Sequence, residues 1–296
     1  MNVAKSPRLL VKARTLSAPR GLAAGRLAFT AKPLMPDIDR THTGGLGAAA
    51  PSQWHEVTLS QWQGSVWDAA HAFSGSAGLG AAAGVEFVEP DLQQQWLYDG
   101  DRSRETALAA ASCAAADAQN KQFPTLPNDD WFRDDGHGEF LAALKALGLN
   151  PPVVRVAHLD TGYDPAHLAL PEAPKQLRTD LARNFVDDPP TSDATDRSSG
   201  VLNNRGHGTG TMSLLAGRDP KDRTKTIGAA PFVEVVPIRV ADRVVLFSNG
   251  AIAKALNYVY ALCDNEQTRI HVVTMSMGGV ASQAWADAIN ALYDRG

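Results

Sequence analysis

Three short stretches of this chain carry residue types that could do chemistry together. Asp160-Thr161-Gly162 follows the hydrophobic run Val153–Leu159, His207-Gly208-Thr209 begins 47 residues after the aspartate, and Ser276-Met277-Gly278-Gly279 begins 69 residues after the histidine. A carboxylate fixed at the end of a buried strand can accept a hydrogen bond from an imidazole, hold it in one tautomer and stabilise the imidazolium formed during reaction. His207 follows the turn-forming Asn203-Asn204-Arg205-Gly206 and precedes small and apolar residues, Thr211–Ala216, suited to a helix. The positive end of that helix disfavours the imidazolium and a nearby carboxylate favours it, which keeps a general base effective near working pH. Gly162 lets the chain turn away after the carboxylate, and Gly206 and Gly208 keep side chains from crowding the histidine. A lone Asp-Thr-Gly is more often a turn, and a lone histidine at a helix start more often a cap; here the two occur with a third block, in order.

The three blocks, in this order, resemble the subtilisin-like serine proteases, the subtilases. The resemblance implies an Asp/His/Ser relay in which Asp160 orients His207, His207 takes the proton of a serine and later gives it to the leaving amine, and Ser276, Met277, Gly278 and Gly279 bind the substrate main chain. Substrate pairing of that kind needs a free backbone edge and glycines that allow close approach. Ile227-Gly228-Ala229-Ala230-Pro231 is similar to the family's Gly-Val-Ala-Pro. Gly210 stands where the family commonly has a second histidine, and Leu168-Ala169 replaces a frequent Pro-Asp, which removes one acid of a common calcium site, so no metal and no cofactor is expected. The family's next elements are a strand with an oxyanion-hole Asn and then a Gly-Thr-Ser nucleophile. Neither an Ala-Gly-Asn nor a Gly-Thr-Ser occurs in the 296 residues, so the sequence is expected to be truncated before the serine. Loss of a nucleophile costs about six orders of magnitude in turnover, and these residues alone are expected to be inactive. The alternative is an inactive remnant or a peptide-binding protein without a nucleophile.

Other chemistries fit less well. Asp-Thr-Gly is also the aspartic-protease signature, but that mechanism needs two such carboxylates and one copy is present. His158 and Asp160, which alternation puts on one strand face, could join Asp164 and His167 around a metal, yet no tight ligand spacing supports this. Gly78-Leu79-Gly80-Ala81 follows no hydrophobic strand that could present it to a phosphate.

The elements that must position these residues begin after Asn150, where strands alternate with helices. Val153–Leu159, Arg183–Val186, Phe232–Val240 and His271–Met277 read as strands, and helices are expected to begin near His207, Ser248 and Ser282. Continuous apolar strands separated by helices indicate an α/β fold, here a subtilisin-like doubly wound parallel sheet, incomplete at its C-terminal side. Sites in such folds form at the carboxyl ends of the strands, where Asp160 and Ser276 fall. An open apolar sheet edge is expected where the next strand would pair.

Residues 1–100 read as an accessory region, 101–127 as an Ala- and Pro-containing linker and 128–296 as the N-terminal part of the catalytic domain. Arg26–Leu34, Trp54–Leu59 and Val85–Val88 alternate as short strands, the last closed by Pro90, and Val66–Phe73 has helical spacing. Together they suggest a small α+β unit. Gly84–Asp91 looks like the last strand of subtilase propeptides, which implies a folding helper and intramolecular inhibitor. Thr106–Ala118 is nearly all alanine and polar residues and reads as a helical linker before Phe123–Pro127.

Bulk properties exclude several classes. A net charge of −4 gives no reason to expect nucleic acid, and no stretch is long and apolar enough to suggest a membrane span. Cys113 and Cys263 form no metal or disulfide framework, which fits a soluble intracellular protein. Lys5, Arg8, Lys12, Arg14, Arg20, Arg26 and Lys32 precede the first acid, Asp37, and read as an exposed basic arm leading into strands, an Arg-rich, acid-poor transit peptide being the alternative; Leu9-Leu10-Val11 is too short for a secretory signal. The expected partner is a polypeptide substrate.

Overall fold

Alternation along the strand before Asp160 decides the architecture. In the computed structural model, β5 (Val154–Asp160) sends Ala157 and Leu159 into one apolar core and Val156 into another. Its neighbour β7 (Val233–Arg239) does the same, with Val236 and Ile238 in the first core and Val233 and Val235 in the second. Both strands are therefore covered on two faces, as parallel strands require. The structure describes residues 6–14, 16, 28–41, 51–60, 62–75, 84–92, 139, 142, 143, 146–148, 153–197, 205–243 and 246–296.

The parallel sheet has the order β10-β5-β7-β6, with β6 spanning Arg183–Asn184 and β10 spanning Val272–Met275. On one face lie α4 (Asn249–Leu262) and α5 (Gln283–Asp294), and on the other α3 (His207–Ala216), whose Met212 and Ala216 meet Val156 and Val235. The helix starts follow the capping residues: Ser248 accepts from the Ala251 N–H and Ser282 from the Trp285 N–H. A small hairpin, β8 (Ala241–Arg243) with β9 (Leu246–Phe247), follows β7 and was not expected from the sequence. Among the described residues β10 is an edge strand, and its Val272 and Val273 are 47% and 38% exposed.

The N-terminal residues form an antiparallel sheet of order β2-β3-β1-β4, from β1 (Arg8–Ala13), β2 (Phe29–Pro33), β3 (Gln53–Leu59) and β4 (Val85–Pro90). Helix α2 (Val66–Gly75) covers one face through Ala69, Ala70 and Phe73, which pack on Leu9, Val11, Val57 and Leu59. On the opposite face Leu10 and Trp54 enter the core built around α4 and α5. The short α1 (Pro36–Thr41) joins that contact, since the Asp37 and Ile38 N–H groups donate to Asn257 Oδ1.

One expectation is corrected here. The basic arm is in part a strand inside a sheet: Leu9, Leu10 and Val11 are fully buried, and Arg8 and Lys12 are paired with Asp91 and Asp287 at 2.8 and 2.9 Å. β4 ends at Pro90, as the sequence reading had it, and Pro90 pairs in register with Leu9. The sequence-expected strand Arg26–Leu34 is seen from Phe29, and the linker helix at Thr106–Ala118 lies outside the described residues.

Charged residues fasten the two sheets' surroundings together. Glu89 accepts from Ser282 Oγ and from the Gln283 and Ala284 N–H groups at 2.6, 2.9 and 3.3 Å, capping α5. Asp91 accepts from Ser248 Oγ and the Gly250 N–H, both at 2.9 Å, capping α4. A carboxylate at a helix N-terminus meets unpaired N–H groups and the positive end of the helix dipole. Lys254 pairs with Glu56, and Trp54 Nε1 donates to Asp287 at 2.9 Å.

Candidate active site

Asp160 is the last residue of β5 and is fully buried. Its carboxylate would be costly there without donors, and it has three. Oδ1 accepts from the Thr161 N–H at 2.7 Å and lies 2.7 Å from His207 Nδ1, while Oδ2 accepts from Thr211 Oγ1 at 3.1 Å. With Nδ1 donating to the carboxylate, the His207 tautomer is set and Nε2 is the basic nitrogen. The His207 side chain is about a quarter exposed (26%), and its Nε2 has no hydrogen-bond partner among the described residues. A buried acid thus holds a base that solvent can reach.

The approach of α3 to β5 depends on glycine. A Cβ on Gly208 would lie 2.0 Å from the Gly162 carbonyl oxygen and 3.1 Å from Asp160 Oδ1. Gly208 is therefore needed for contact with the turn after Asp160. Gly206, by contrast, has open space around its missing Cβ; its requirement is a φ of +86° at the position preceding the helix.

The N-terminal N–H groups of α3 are satisfied from the strand side. The Gly206 N–H donates to Asp196 Oδ2 at 2.8 Å and the Gly208 N–H to Thr161 Oγ1 at 3.2 Å; Thr161 Oγ1 in turn donates to Asp196 Oδ2 at 3.1 Å. Thr209 Oγ1 accepts from the Asp164 N–H at 2.9 Å. Asp196 was not singled out in the sequence, and no spacing signal marks it; it reaches the site because Tyr163 and Thr195 form a bridge that brings residues 193–197 alongside the turn.

Ser276-Met277-Gly278-Gly279 continues directly from β10. Met275 pairs with Leu159, so the next residue on each strand, Ser276 and Asp160, stand at the same carboxyl end of the sheet. Ser276, Gly278 and Gly279 are exposed, and a Cβ on Gly278 would meet nothing within 4 Å. The segment is open backbone beside the acid–base pair. At the other end of α3, the Ala229 and Ala230 N–H groups donate to the Leu214 and Leu215 carbonyls, which seats Ile227–Pro231 against the helix.

His158 lies on the same face of β5 as Asp160, as alternation predicts, and is buried at 3% exposure. Its Nε2 is 2.8 Å from Thr211 Oγ1 and 3.8 Å from Asp160 Oδ2. Burial pushes its pKa down to about 4, the nearby Asp160 charge opposing that and His207 reinforcing it. Asp164 and His167 do not join it: among the described residues no three His, Cys, Asp or Glu side chains are placed to hold a metal ion. Nor is any helix among them long and apolar enough to cross a membrane.

The site is thus a buried aspartate hydrogen-bonded to a partly exposed histidine, at the carboxyl end of a parallel sheet and beside a Gly-rich edge. Residues 153–296 match the model of the Subtilase family (Peptidase_S8). No curated protein matches the chain.

Proposed function

We propose that the chain is the acid- and base-bearing part of a subtilisin-like serine endopeptidase precursor. His207 is its catalytic base, Asp160 the carboxylate that orients it, and Ser276, Met277, Gly278 and Gly279 receive the substrate main chain. The observation that carries this reading is the 2.7 Å contact between His207 Nδ1 and the fully buried Asp160 carboxylate. In the reaction, His207 Nε2 takes the proton from a serine hydroxyl as the oxygen attacks the peptide carbonyl. Asp160 stabilises the imidazolium, which then protonates the leaving amine. In this reading the serine comes from outside the 296 residues, which contain no Gly-Thr-Ser. The parallel sheet would then be the first part of a doubly wound one, and the exposed Val272-Val273 edge is where the next strand pairs.

In the same reading residues 1–100 act as a propeptide-like unit. Support comes from the two helix caps, Glu89 on α5 and Asp91 on α4, and from Leu10 and Trp54, which share a core with those helices. Such a unit would assist folding by adding acceptors to helix ends that Ser248 and Ser282 cap only in part.

The test is a chain extended through the first Gly-Thr-Ser downstream, assayed on an unstructured polypeptide. Hydrolysis is expected, with His207→Ala lowering turnover at least about 10⁴-fold while peptide binding survives. An extended, folded chain that fails to cleave, or that cleaves equally well as His207→Ala, overturns the assignment.

A further inference from the structure

Behind the Asp160–His207 pair sit two polar side chains that packing does not require. His158 and Thr211 meet where β5 contacts α3, and a buried imidazole there must find a hydrogen-bond partner. The Thr211 hydroxyl touches four groups: His158 Nε2 at 2.8 Å, Asp160 Oδ2 at 3.1 Å, and the His207 and Gly208 carbonyls at 3.1 and 3.3 Å. It has one proton to give. If His158 Nε2 carries a proton, Thr211 accepts it and is free to donate to the charged carboxylate, the strongest acceptor present. If Nε2 is bare, the threonine proton goes to His158 and Asp160 Oδ2 loses its donor.

We propose that His158 and Thr211 are positioning residues of the catalytic pair: neutral His158 donates Nε2–H to Thr211 Oγ1, and Thr211 donates to Asp160 Oδ2, fixing Oδ1 toward His207. This rests on the reading of His207 as the catalytic base and Asp160 as the carboxylate that orients it. The relay disperses charge from the carboxylate without placing a second cation beside the imidazolium of His207. It works because His158 stays neutral. The groups that face it favour that state: His207 on α3 opposes a second positive charge, burial removes solvent, and only Asp160 on its own strand pulls the other way. Its neighbours in register, Pro237 on β7 and Thr274 on β10, carry no charge. Arg239, level with Asp160 on β7, has its guanidinium engaged by Asp242.

The experiment is imidazole ¹H–¹⁵N NMR on the full 296-residue chain, reading the tautomer of His158 and the titration of His207. His158 is expected as the neutral Nε2–H form at pH 7. Thr211→Val removes the donor to Oδ2, concentrates negative charge on the carboxylate and should raise the His207 midpoint by at least about 0.5 pH unit, a threefold change in its ionisation constant. His158→Val should move it the same way, while Thr211→Ser and His158→Gln, which keep the hydroxyl and a donor near the Nε2 position, should return it close to the parent value. An unmoved His207 midpoint in a folded Thr211→Val chain overturns the relay. So does an Nδ1–H tautomer of His158, which decides the matter in the parent chain even if Thr211→Val fails to fold. Asp160→Asn separates the two readings: a His207 midpoint that ignores it sinks the catalytic pair itself, whereas one that responds to Asp160→Asn but not to Thr211→Val sinks only the relay.

Discussion

Asp91→Ala tests whether the N-terminal sheet and the subtilase segment fold as one unit. Asp91 is 7% exposed and its carboxylate does three jobs: it caps α4 through the Gly250 N–H, holds Ser248 Oγ and pairs with Arg8 at 2.8 Å. The ion pair contributes little, because the Arg8 side chain is about a third exposed (34%) and solvent screens it, so it is worth at most about 1 kcal/mol. The cap matters more. Removing the carboxylate leaves the Gly250 N–H buried without an acceptor, at about 1–3 kcal/mol. Ser248 keeps its own cap on the Ala251 N–H, which limits the damage. The sum is about 1–4 kcal/mol. At an m value of about 2 kcal/mol per molar, the urea midpoint should fall by about 0.5–2 M. Trp54 and Trp285, whose indoles donate to Asp287 and to the Asn249 carbonyl, report the transition by fluorescence. Asp91→Asn retains an oxygen for Gly250 and should recover more than half of the loss. A midpoint for Asp91→Ala within 0.3 M of the parent (about 0.6 kcal/mol) would refute the reasoning. Equal loss in Asp91→Asn would refute the assignment to the cap rather than to charge.

Gly208→Ala should be severe for its size, because the clash is with the backbone carbonyl of Gly162 rather than with a movable side chain. A loss of about 1–3 kcal/mol is expected, together with disappearance of the downfield His207 Nδ1–H proton resonance; a variant that keeps that resonance and its stability contradicts the close approach of α3. Acidification supplies a third check. His158 is held below its unfolded pKa, so between about 6.5 and 4 the unfolded chain binds the extra proton. Its contribution is fully present above about pH 6.5 and is lost as pH falls through that window, by at most about 1.4 kcal/mol per unit. His158→Gln should flatten that part of the stability–pH curve, and an unchanged slope by urea denaturation at pH 7, 6, 5 and 4.5 would count against a buried neutral imidazole. At the sheet edge, Val272→Lys should reduce concentration-dependent association measured by light scattering, since a charge on an edge strand blocks further pairing. Identical scattering in the variant would place any association elsewhere.

The parallel strands were legible because each is a short apolar run, and a strand buried on both faces needs no other signal: Val154–Asp160 and Val233–Arg239 lie within one residue of the sequence reading at each end. The N-terminal strand β1 was not, because its signal is three apolar residues between Arg8 and Lys12, and the acids that neutralise those bases, Asp91 and Asp287, are remote in sequence. The hairpin β8–β9 and the approach of Asp196 to Gly206 depend on tertiary contacts that no local period encodes.

His158 shows where the site could have been read further. Strand alternation puts His158 and Asp160 on one face, and no ligand spacing in the sequence turns that face into a metal site. The missing step lay on the helix. Residues four apart share a helix face, so His207 and Thr211 must point the same way, and the strand pair at 158 and 160 must meet the helix pair at 207 and 211 once His207 meets Asp160. Two short-range periodicities and one long-range contact therefore dictate the second contact, between His158 and Thr211, which the structure has at 2.8 Å. The same geometry explains why the threonine can serve both neighbours: it sits one helical turn below His207, facing the outer oxygen of the carboxylate whose inner oxygen the histidine holds.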